Sequence, residues 1–218
     1  MLSAKSEVRA LMLYTKEQVK KAHSELDKVM SGIPNACVTG CDACCYQMVA
    51  VHTWEEELIG SYIRTTMHAG TKKIVRKQMM EWWRYLVSVL RRPTKDNPIS
   101  QAEYLDLQQM MITERVKCPF LVDSKCSIYS VRPAVCRSYV VPDNPKRCSD
   151  EPGRMGDMRP LPHFIELFGA ESKLLPVERY YHAMKPLAFA MTEELNVPAP
   201  STPVESVAFG DLIPSRWR

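Results

Sequence analysis

The eight cysteines are the residues with the clearest chemical potential, and they fall into two groups that lie far apart in the chain. The first group, in the stretch CVTGCDACC, comprises Cys37, Cys41, Cys44 and Cys45. The second group comprises Cys118, Cys126, Cys136 and Cys148. In a reducing compartment, clustered thiols bind metal more often than they pair as disulfides. The spacing therefore predicts a metal centre to which both groups contribute ligands.

The adjacent pair Cys44 and Cys45 favours a helical turn over a strand. Successive side chains of a strand point to opposite faces, whereas neighbours on a helical turn lie only about 100° apart. If a turn begins at Cys41, the pair at i+3 and i+4 falls on the same face as Cys41. N–H groups at the start of the turn would also stabilise thiolates, so we expect this turn beside the metal.

Negative charge in such a centre predicts cations nearby. Four thiolates around Zn²⁺ or a [4Fe–4S]²⁺ core leave a net charge of about −2. Arg132 and Arg137 flank Cys136 in RPAVCR, so both are candidates for compensating the charge of a bound cofactor. The alternative is that both arginines are surface residues of a loop.

The identity of the cofactor stays open at this level. Tetrahedral sulfur ligation suits both Zn²⁺ and iron–sulfur clusters. Zinc sites usually show paired C-x₂-C hooks, and one such hook, from Cys41 to Cys44, is present. The irregular second group favours an iron–sulfur cluster, most simply [4Fe–4S], with Zn²⁺ as the alternative. The eight cysteines would also fill two sites of four.

Two motifs resemble those of the YkgJ-type cysteine-cluster (CxxCxxCC) family, a domain to which zinc or iron chelation is ascribed. They are CDACC at 41–45 and CPFL at 118–121, the latter followed by CSIYSVRPAVCR at 126–137. The resemblance covers roughly residues 37–140. It departs at Cys37, which is separated from Cys41 by three residues and not by two. The resemblance implies a metal-chelating domain.

A related family, the flagellin lysine methylases, implies that such a cluster can hold iron–sulfur and support methyl transfer. An iron–sulfur redox or methyl-transfer enzyme is therefore the alternative to a metal with a mainly structural role, and whether the chain is an enzyme stays open. The C-x₃-C-x₂-C spacing of the first group also fits radical-SAM enzymes. The strand–helix alternation that their fold requires is not visible in the sequence.

Helices must bring the two cysteine groups together. Apolar residues at steps of three and four predict a helix over 4–30. Capping patterns predict further helices from Trp54 to about Met67 (Thr53 with Glu56), from Thr71 to about Leu90, and over 101–113 (Ser100 with Glu103). We also expect a hairpin around Asp123 to Lys125 and helices over 163–168 and 178–195.

Residues 64–95 are strongly basic and include Trp82 and Trp83, a combination that suits nucleic acid. The apolar residues recur on one side of the predicted helix and the basic residues on the other, which is the pattern of an ordinary solvated helix. Nucleic acid is therefore the less favoured interpretation. Trp82 is expected in the core, and Trp83, at the boundary, is the better candidate for a contact.

The predicted fold is mostly α: one helical domain over 1–196 around an irregular cysteine-rich centre, and an extended proline-rich tail over 197–218. The sequence lacks a signal-peptide pattern and an apolar run of membrane-spanning length, so we expect a cytoplasmic protein without membrane association. Motifs of ATP-, NAD- and serine-dependent enzymes are missing. The five histidines are scattered and expected at surface or capping positions. A third hypothesis is a structural component of a larger assembly, whose terminal arms contact protein partners.

Overall fold

The computed structural model describes residues 15–33, 40–89, 101–139 and 184–197, and these are mostly helical, as predicted. The helices are α1 (Lys16–Ser31), α2 (Thr53–Thr65), α3 (Ala69–Val89), α4 (Gln101–Thr113), α5 (Ala134–Ser138) and α6 (Leu187–Ala190). Short 3₁₀ turns span Ala43–Tyr46 and Tyr129–Val131. The strands are β1 (Ala50–His52), β2 (Leu121–Val122), β3 (Lys125–Cys126) and β4 (Met184–Pro186).

Helix α1 begins at Lys16 because Thr15 and Gln18 form a capping box. The Gln18 N–H donates to Thr15 Oγ1 at 3.2 Å, and the Thr15 N–H donates to the Gln18 side chain at 2.7 Å. The predicted helix over 4–30 is thus found from Lys16 onward, and residues 4–14 lie outside the described part of the chain.

Helices α2 and α3 begin earlier than predicted. The cap of α2 uses His52 and Glu55, not Thr53 and Glu56, since the His52 N–H donates to Glu55 Oε2 at 3.1 Å. Helix α3 begins at Ala69 because His68 Nδ1 accepts a hydrogen bond from the Gly70 N–H at 3.2 Å. Gly70 therefore lies in the first turn of α3 and does not separate the two helices.

The bounds predicted for α4 and the predicted hairpin are confirmed. In the hairpin, Leu121 pairs with Cys126 and Val122 with Lys125, in antiparallel register. Asp123 and Ser124 form the two-residue turn with φ of 49° and 56°. Positive φ at both central residues matches the twist of the strands that such a turn joins. Ser100, proposed as the cap of α4, lies outside the described residues.

The helix predicted over 178–195 is much shorter in the described residues. Residues 184–186 form β4, which pairs antiparallel with β1, and α6 covers only Leu187–Ala190. Pro186 explains the error, because proline has no N–H to give to a helix and is tolerated at the edge of a sheet. The Leu187 N–H donates to the Val49 carbonyl at 2.8 Å. Residues 163–168 and 178–183 lie outside the described ranges.

The hydrophobic core is built on the apolar stripe of α3 and is closed by residues 184–197, hereafter the C-terminal segment. Trp82 and Trp83 are both buried. The Trp83 ring stacks on Phe189 with centroids 4.5 Å apart, and its Nε1–H donates to Thr192 Oγ1 at 3.3 Å. Trp83 is therefore a core residue, and its predicted role as an exposed contact is wrong. None of the helices in the described ranges has the length and apolarity needed to cross a membrane.

Candidate metal centre

The two cysteine groups meet through a backbone hydrogen bond. The Cys118 N–H donates to the Cys45 carbonyl at 2.6 Å, although residues 46–117 separate the two positions in the chain. Cys44 and Cys45 lie in the 3₁₀ turn Ala43–Tyr46, so this turn packs directly against the loop that begins at Cys118. The expected meeting of the two groups is thus present among the described residues.

The turn that carries Cys44 and Cys45 begins at Ala43, two residues later than predicted. The Cys45 N–H closes it by donating to the Asp42 carbonyl at 2.8 Å. Cys41 lies before the turn and is half-buried. Gly40 directly precedes it with a φ of +90°, a conformation that residues with a side chain rarely adopt.

Loops rather than long elements present the second group of thiols. Gln78 of α3 fixes the Cys118 loop, because its Nε2 donates to the Pro119 and Leu121 carbonyls at 2.9 and 3.0 Å. Within the loop, the Phe120 N–H is hydrogen-bonded to the Cys118 sulfur. The Ile128 N–H makes the same contact with the Cys126 sulfur. Such N–H donors stabilise a thiolate in the same way as donors around metal-bound sulfur.

Arg137 acts mainly as a clamp between the Cys136 segment and α1. Its Nε donates to the Arg132 carbonyl at 3.0 Å, and its Nη2 donates to the Ser130 carbonyl at 2.7 Å. Its Nη1 pairs with Asp27 Oδ2 at 2.6 Å, and the side chain is buried. Because the guanidinium is occupied by these partners, its field is only a minor influence on the Cys126 thiol.

Arg132 is the better placed of the two predicted cations. Its guanidinium lies 3.9 Å from the centre of the Tyr129 ring and donates to the Tyr129 carbonyl at 3.2 Å. Its positive charge contributes to the lowered pKa of Cys44. The same charge partly offsets the rise that burial causes in the pKa of Cys126. Arg132 therefore supplies some of the positive charge that a thiolate centre requires.

Cys44 and Cys45 share a proton. The Cys45 thiol donates a hydrogen bond to the Cys44 sulfur, which is the largest cause lowering the pKa of Cys44 to about 7. Burial opposes this decrease, and the backbone N–H of Cys44 supports it. The same bond, together with burial and neighbouring sulfurs, raises the pKa of Cys45. One member of the pair is thus predisposed to be a thiolate.

Partial burial also affects the pKa values of the described thiols of the second group. Burial raises the pKa of Cys118 to about 12 and raises the pKa values of Cys126 and Cys136. Each of these thiols also feels the charge of Cys44. Five thiols from both groups therefore lie within electrostatic range of one another: Cys44, Cys45, Cys118, Cys126 and Cys136.

The sequence of the chain matches a known protein family. Residues 36–152, more than half of the chain, match the CxxCxxCC family model, described as "Putative zinc- or iron-chelating domain". The chain belongs to this family. No curated protein and no solved structure matches the chain significantly. Residues 184–197, which close the core, lie C-terminal to the region that matches the CxxCxxCC family.

The donor set fits the metals named for the CxxCxxCC family. Soft thiolates are preferred ligands of zinc and of iron–sulfur clusters, and a cation would supply the charge that these buried thiols lack. Within the described ranges, no three side chains of Cys, His, Asp or Glu lie close enough together to hold one metal ion. Cys37 and Cys148, both predicted ligands, lie outside those ranges. The assignment of individual ligands stays a prediction.

Sequence reasoning missed a buried polar group behind the centre. His23 was expected at a surface or capping position, but it is buried, and its Nε2 lies 2.7 Å from Glu55 Oε1. His52 is a capping residue, as expected, but it is also buried. His23 had a recognisable signal, since it falls four residues after Val19 and three before Leu26 on the buried face of α1. Glu55 had none, because an acid in the first turn of a helix is ordinarily a solvated residue.

Proposed function

We propose that the chain binds metal through the converging thiols of its two cysteine groups, with an iron–sulfur cluster as the favoured occupant and Zn²⁺ as the alternative. The observation that carries this proposal is the hydrogen bond from the Cys118 N–H to the Cys45 carbonyl, which joins the two groups. The ligands would be four of the six described thiols, which are those of Cys41, Cys44, Cys45, Cys118, Cys126 and Cys136. Cys37 and Cys148 are further candidates.

The preference for an iron–sulfur cluster rests on the segments that carry the thiols. Cys118, Cys126 and Cys136 come from a loop, a two-residue strand and a five-residue helix, not from a second C-x₂-C hook. Irregular ligand spacing is better tolerated by iron–sulfur clusters than by zinc knuckles. Hydrogen bonds from the Phe120 and Ile128 N–H groups to sulfur suit a cluster whose properties depend on such donors.

The metal would act mainly as a structural cross-link. The cysteine-bearing segments contain only short elements, and short helices and two-stranded hairpins are marginally stable by themselves. Metal binding adds its free energy directly to folding when the site forms only in the folded chain. This role needs no substrate pocket.

An enzymatic role has weaker support. A crevice with an accessible volume of about 10 Å³ borders Cys118, and Met48, Trp82 and Leu187 are among the residues that line it. Ligand pockets usually measure roughly 300–1,000 Å³, so this crevice is small for a substrate. Methyl transfer or redox catalysis therefore stays the second interpretation.

Anaerobic purification of the full chain, followed by analysis of iron, zinc and acid-labile sulfide, tests the proposal. We expect a brown protein that contains iron and sulfide and absorbs near about 400 nm, where thiolate-to-iron charge transfer lies. Zinc without sulfide would favour the alternative occupant. A protein that neither retains nor takes up either metal would contradict the proposal.

Variants from each cysteine group test whether the site is shared. Cys44→Ser and Cys118→Ser should each lower the metal content strongly, because each would remove a ligand of the same centre. Met110→Ala, an exposed position of α4, is the matched control and should bind metal as the wild type does. Full metal retention in Cys118→Ser would show that the second group is not needed.

A further inference from the structure

A buried carboxylate lies directly behind the helix that carries Cys136. Glu55 is fully buried, and its Oε1 accepts a hydrogen bond from the Ala134 N–H at 2.7 Å. The same oxygen lies 2.7 Å from His23 Nε2, and Oε2 accepts a hydrogen bond from the His52 N–H at 3.1 Å. Three separate segments of the chain therefore converge on one side chain.

Helix α5 depends on this contact for its position. Ala134 is its first residue, and the first N–H groups of a helix have no partner within the helix. A helix of five residues is too short to hold its own conformation in water. Glu55 supplies the missing acceptor at the start of α5. Because Cys136 follows Ala134 by two residues in the same short helix, this contact also restricts the position of the Cys136 backbone.

The carboxylate is also close enough to affect Cys136 electrically. Burial is the main cause that raises the pKa of Cys136, and the negative charge of Glu55 adds to it. A buried carboxylate needs a partner, and His23, buried on α1, provides one. The His23–Glu55 pair thus connects α1, α2 and α5 at the back of the cysteine cluster.

We propose that Glu55, held by His23, is a positioning residue of the metal centre, which seats the first turn of α5 and thereby presents Cys136 as a ligand. The inference rests on the proposed function and deepens it. It differs from a general contribution to stability, because the effect of Glu55 on metal binding must pass through one thiol. Partners that orient ligands commonly change metal affinity by about 10- to 100-fold when they are removed.

Titration of the reduced, metal-free full chain with Co²⁺ tests the proposal. Co²⁺ substitutes for Zn²⁺ in thiolate sites, and its sulfur-to-metal charge-transfer absorption grows with the number of thiolates bound. We expect Glu55→Ala to lose the absorption of about one thiolate, as Cys136→Ser does, and to bind Co²⁺ about 10- to 100-fold more weakly. Glu57→Ala, on the same helix but paired with Arg64, is the matched control and should behave as the wild type.

The double variant Glu55→Ala/Cys136→Ser separates positioning from general destabilisation. If Glu55 acts through Cys136, the double variant should match Cys136→Ser alone. If the Glu55→Ala change weakens Co²⁺ binding by the same factor with and without Cys136, the proposal is wrong. Glu55→Gln, which keeps an oxygen for the Ala134 N–H but loses the charge beside His23, should restore only part of the lost absorption and carries the test if Glu55→Ala does not fold.

Amide hydrogen exchange in the metal-free chain distinguishes this inference from the proposed function. Glu55→Ala should accelerate exchange at Ala134 at least several-fold relative to Glu57→Ala, and Glu55→Gln should do so to a smaller extent. A wild type that binds no Co²⁺ would argue against a site for a single metal ion, while the exchange experiment still tests the seating of α5. A wild type that binds Co²⁺, with a Glu55→Ala variant that binds it equally well, would overturn the positioning role alone.

Discussion

The cysteine region (40–47 and 118–139) and the hydrophobic body (α2, α3 and the C-terminal segment) are held together in different ways. In the body, large apolar side chains do most of the work, with Trp82, Trp83 and Phe189 in mutual ring contact. The cysteine region contributes Phe120 and Ile128 to the same core, but it also depends on hydrogen bonds to backbone groups and contains a cluster of half-buried thiols. Apolar contacts therefore stabilise the body without a metal. In the cysteine region, a metal bound by the clustered thiols would add to the free energy of folding.

Two side chains of the body reach across to the cysteine region. Gln78 of α3 holds the Cys118 loop through the Pro119 and Leu121 carbonyls. Glu55 of α2 holds the start of α5. The hydrophobic body therefore positions the cysteine region through two polar side chains, Gln78 and Glu55, which bind backbone groups of the segments that carry the thiols.

The largest effect should come from removing the metal. Treatment of the metal-loaded chain with a chelator should raise amide exchange strongly over 118–139, because metal binding and folding of such segments are coupled. Exchange over the centre of α3 should change less, because its amides are hydrogen-bonded within a long helix whose apolar face is buried. Hydrogen exchange by mass spectrometry measures both regions at once. Equal acceleration in the two regions would contradict the division between them.

Replacement of Trp83 by alanine should destabilise the hydrophobic body. Trp83→Ala removes a buried ring that stacks on Phe189, so we expect the free energy of unfolding to fall by about 3–5 kcal/mol. Ile74→Ala is the control on the same helix and should cost less than about 1 kcal/mol, because Ile74 is 45% exposed. Denaturant titration of the metal-free chain checks both values. A cost for Trp83→Ala as small as that for Ile74→Ala would show that the stack is not stabilising.

Acid should weaken the junction of the two regions through His52. Burial is the main cause that lowers the pKa of His52 from 6.5 to about 4. Between these values the unfolded chain binds a proton that the folded chain does not, so stability falls as the pH decreases through this window, by up to roughly 3 kcal/mol. For Glu55, burial is opposed by the hydrogen bond from His23, and its lowered pKa adds a loss in the same direction at lower pH.

Denaturant titrations of the metal-free chain at several pH values measure this dependence. His52→Gln should flatten the profile between about pH 6.5 and pH 4. An unchanged profile in His52→Gln would mean that another group determines the acid sensitivity.

Local patterns predicted much of the helical frame. The bounds of α4 followed from its capping pattern, and the hairpin followed from the turn residues between β2 and β3. The prediction failed at β4, because pairing with β1 depends on a strand more than a hundred residues away in the chain. The prediction for Trp83 failed for the same reason, since its ring stacks on Phe189 of the C-terminal segment.

The candidate site was only partly predictable. Arg137 was expected to compensate charge, and that role stays a prediction. Its hydrogen bonds to Asp27 and to the Ser130 and Arg132 carbonyls were not predicted. Glu55 gave no local signal, because its partners come from α1 and α5. The expectations of protein partners, of nucleic acid and of a cytoplasmic location stay predictions.

By itself the sequence determined the chemistry of this protein: clustered thiols in a mostly helical chain, in motifs that belong to the CxxCxxCC family. Thiol chemistry and helical periodicity are local properties, so they can be recognised without a fold. Only the tertiary structure decided which groups meet: Cys118 with Cys45, Trp83 with Phe189, and Glu55 with the start of α5. Those contacts depend on packing between distant segments, for which short stretches of sequence carry no specific signal.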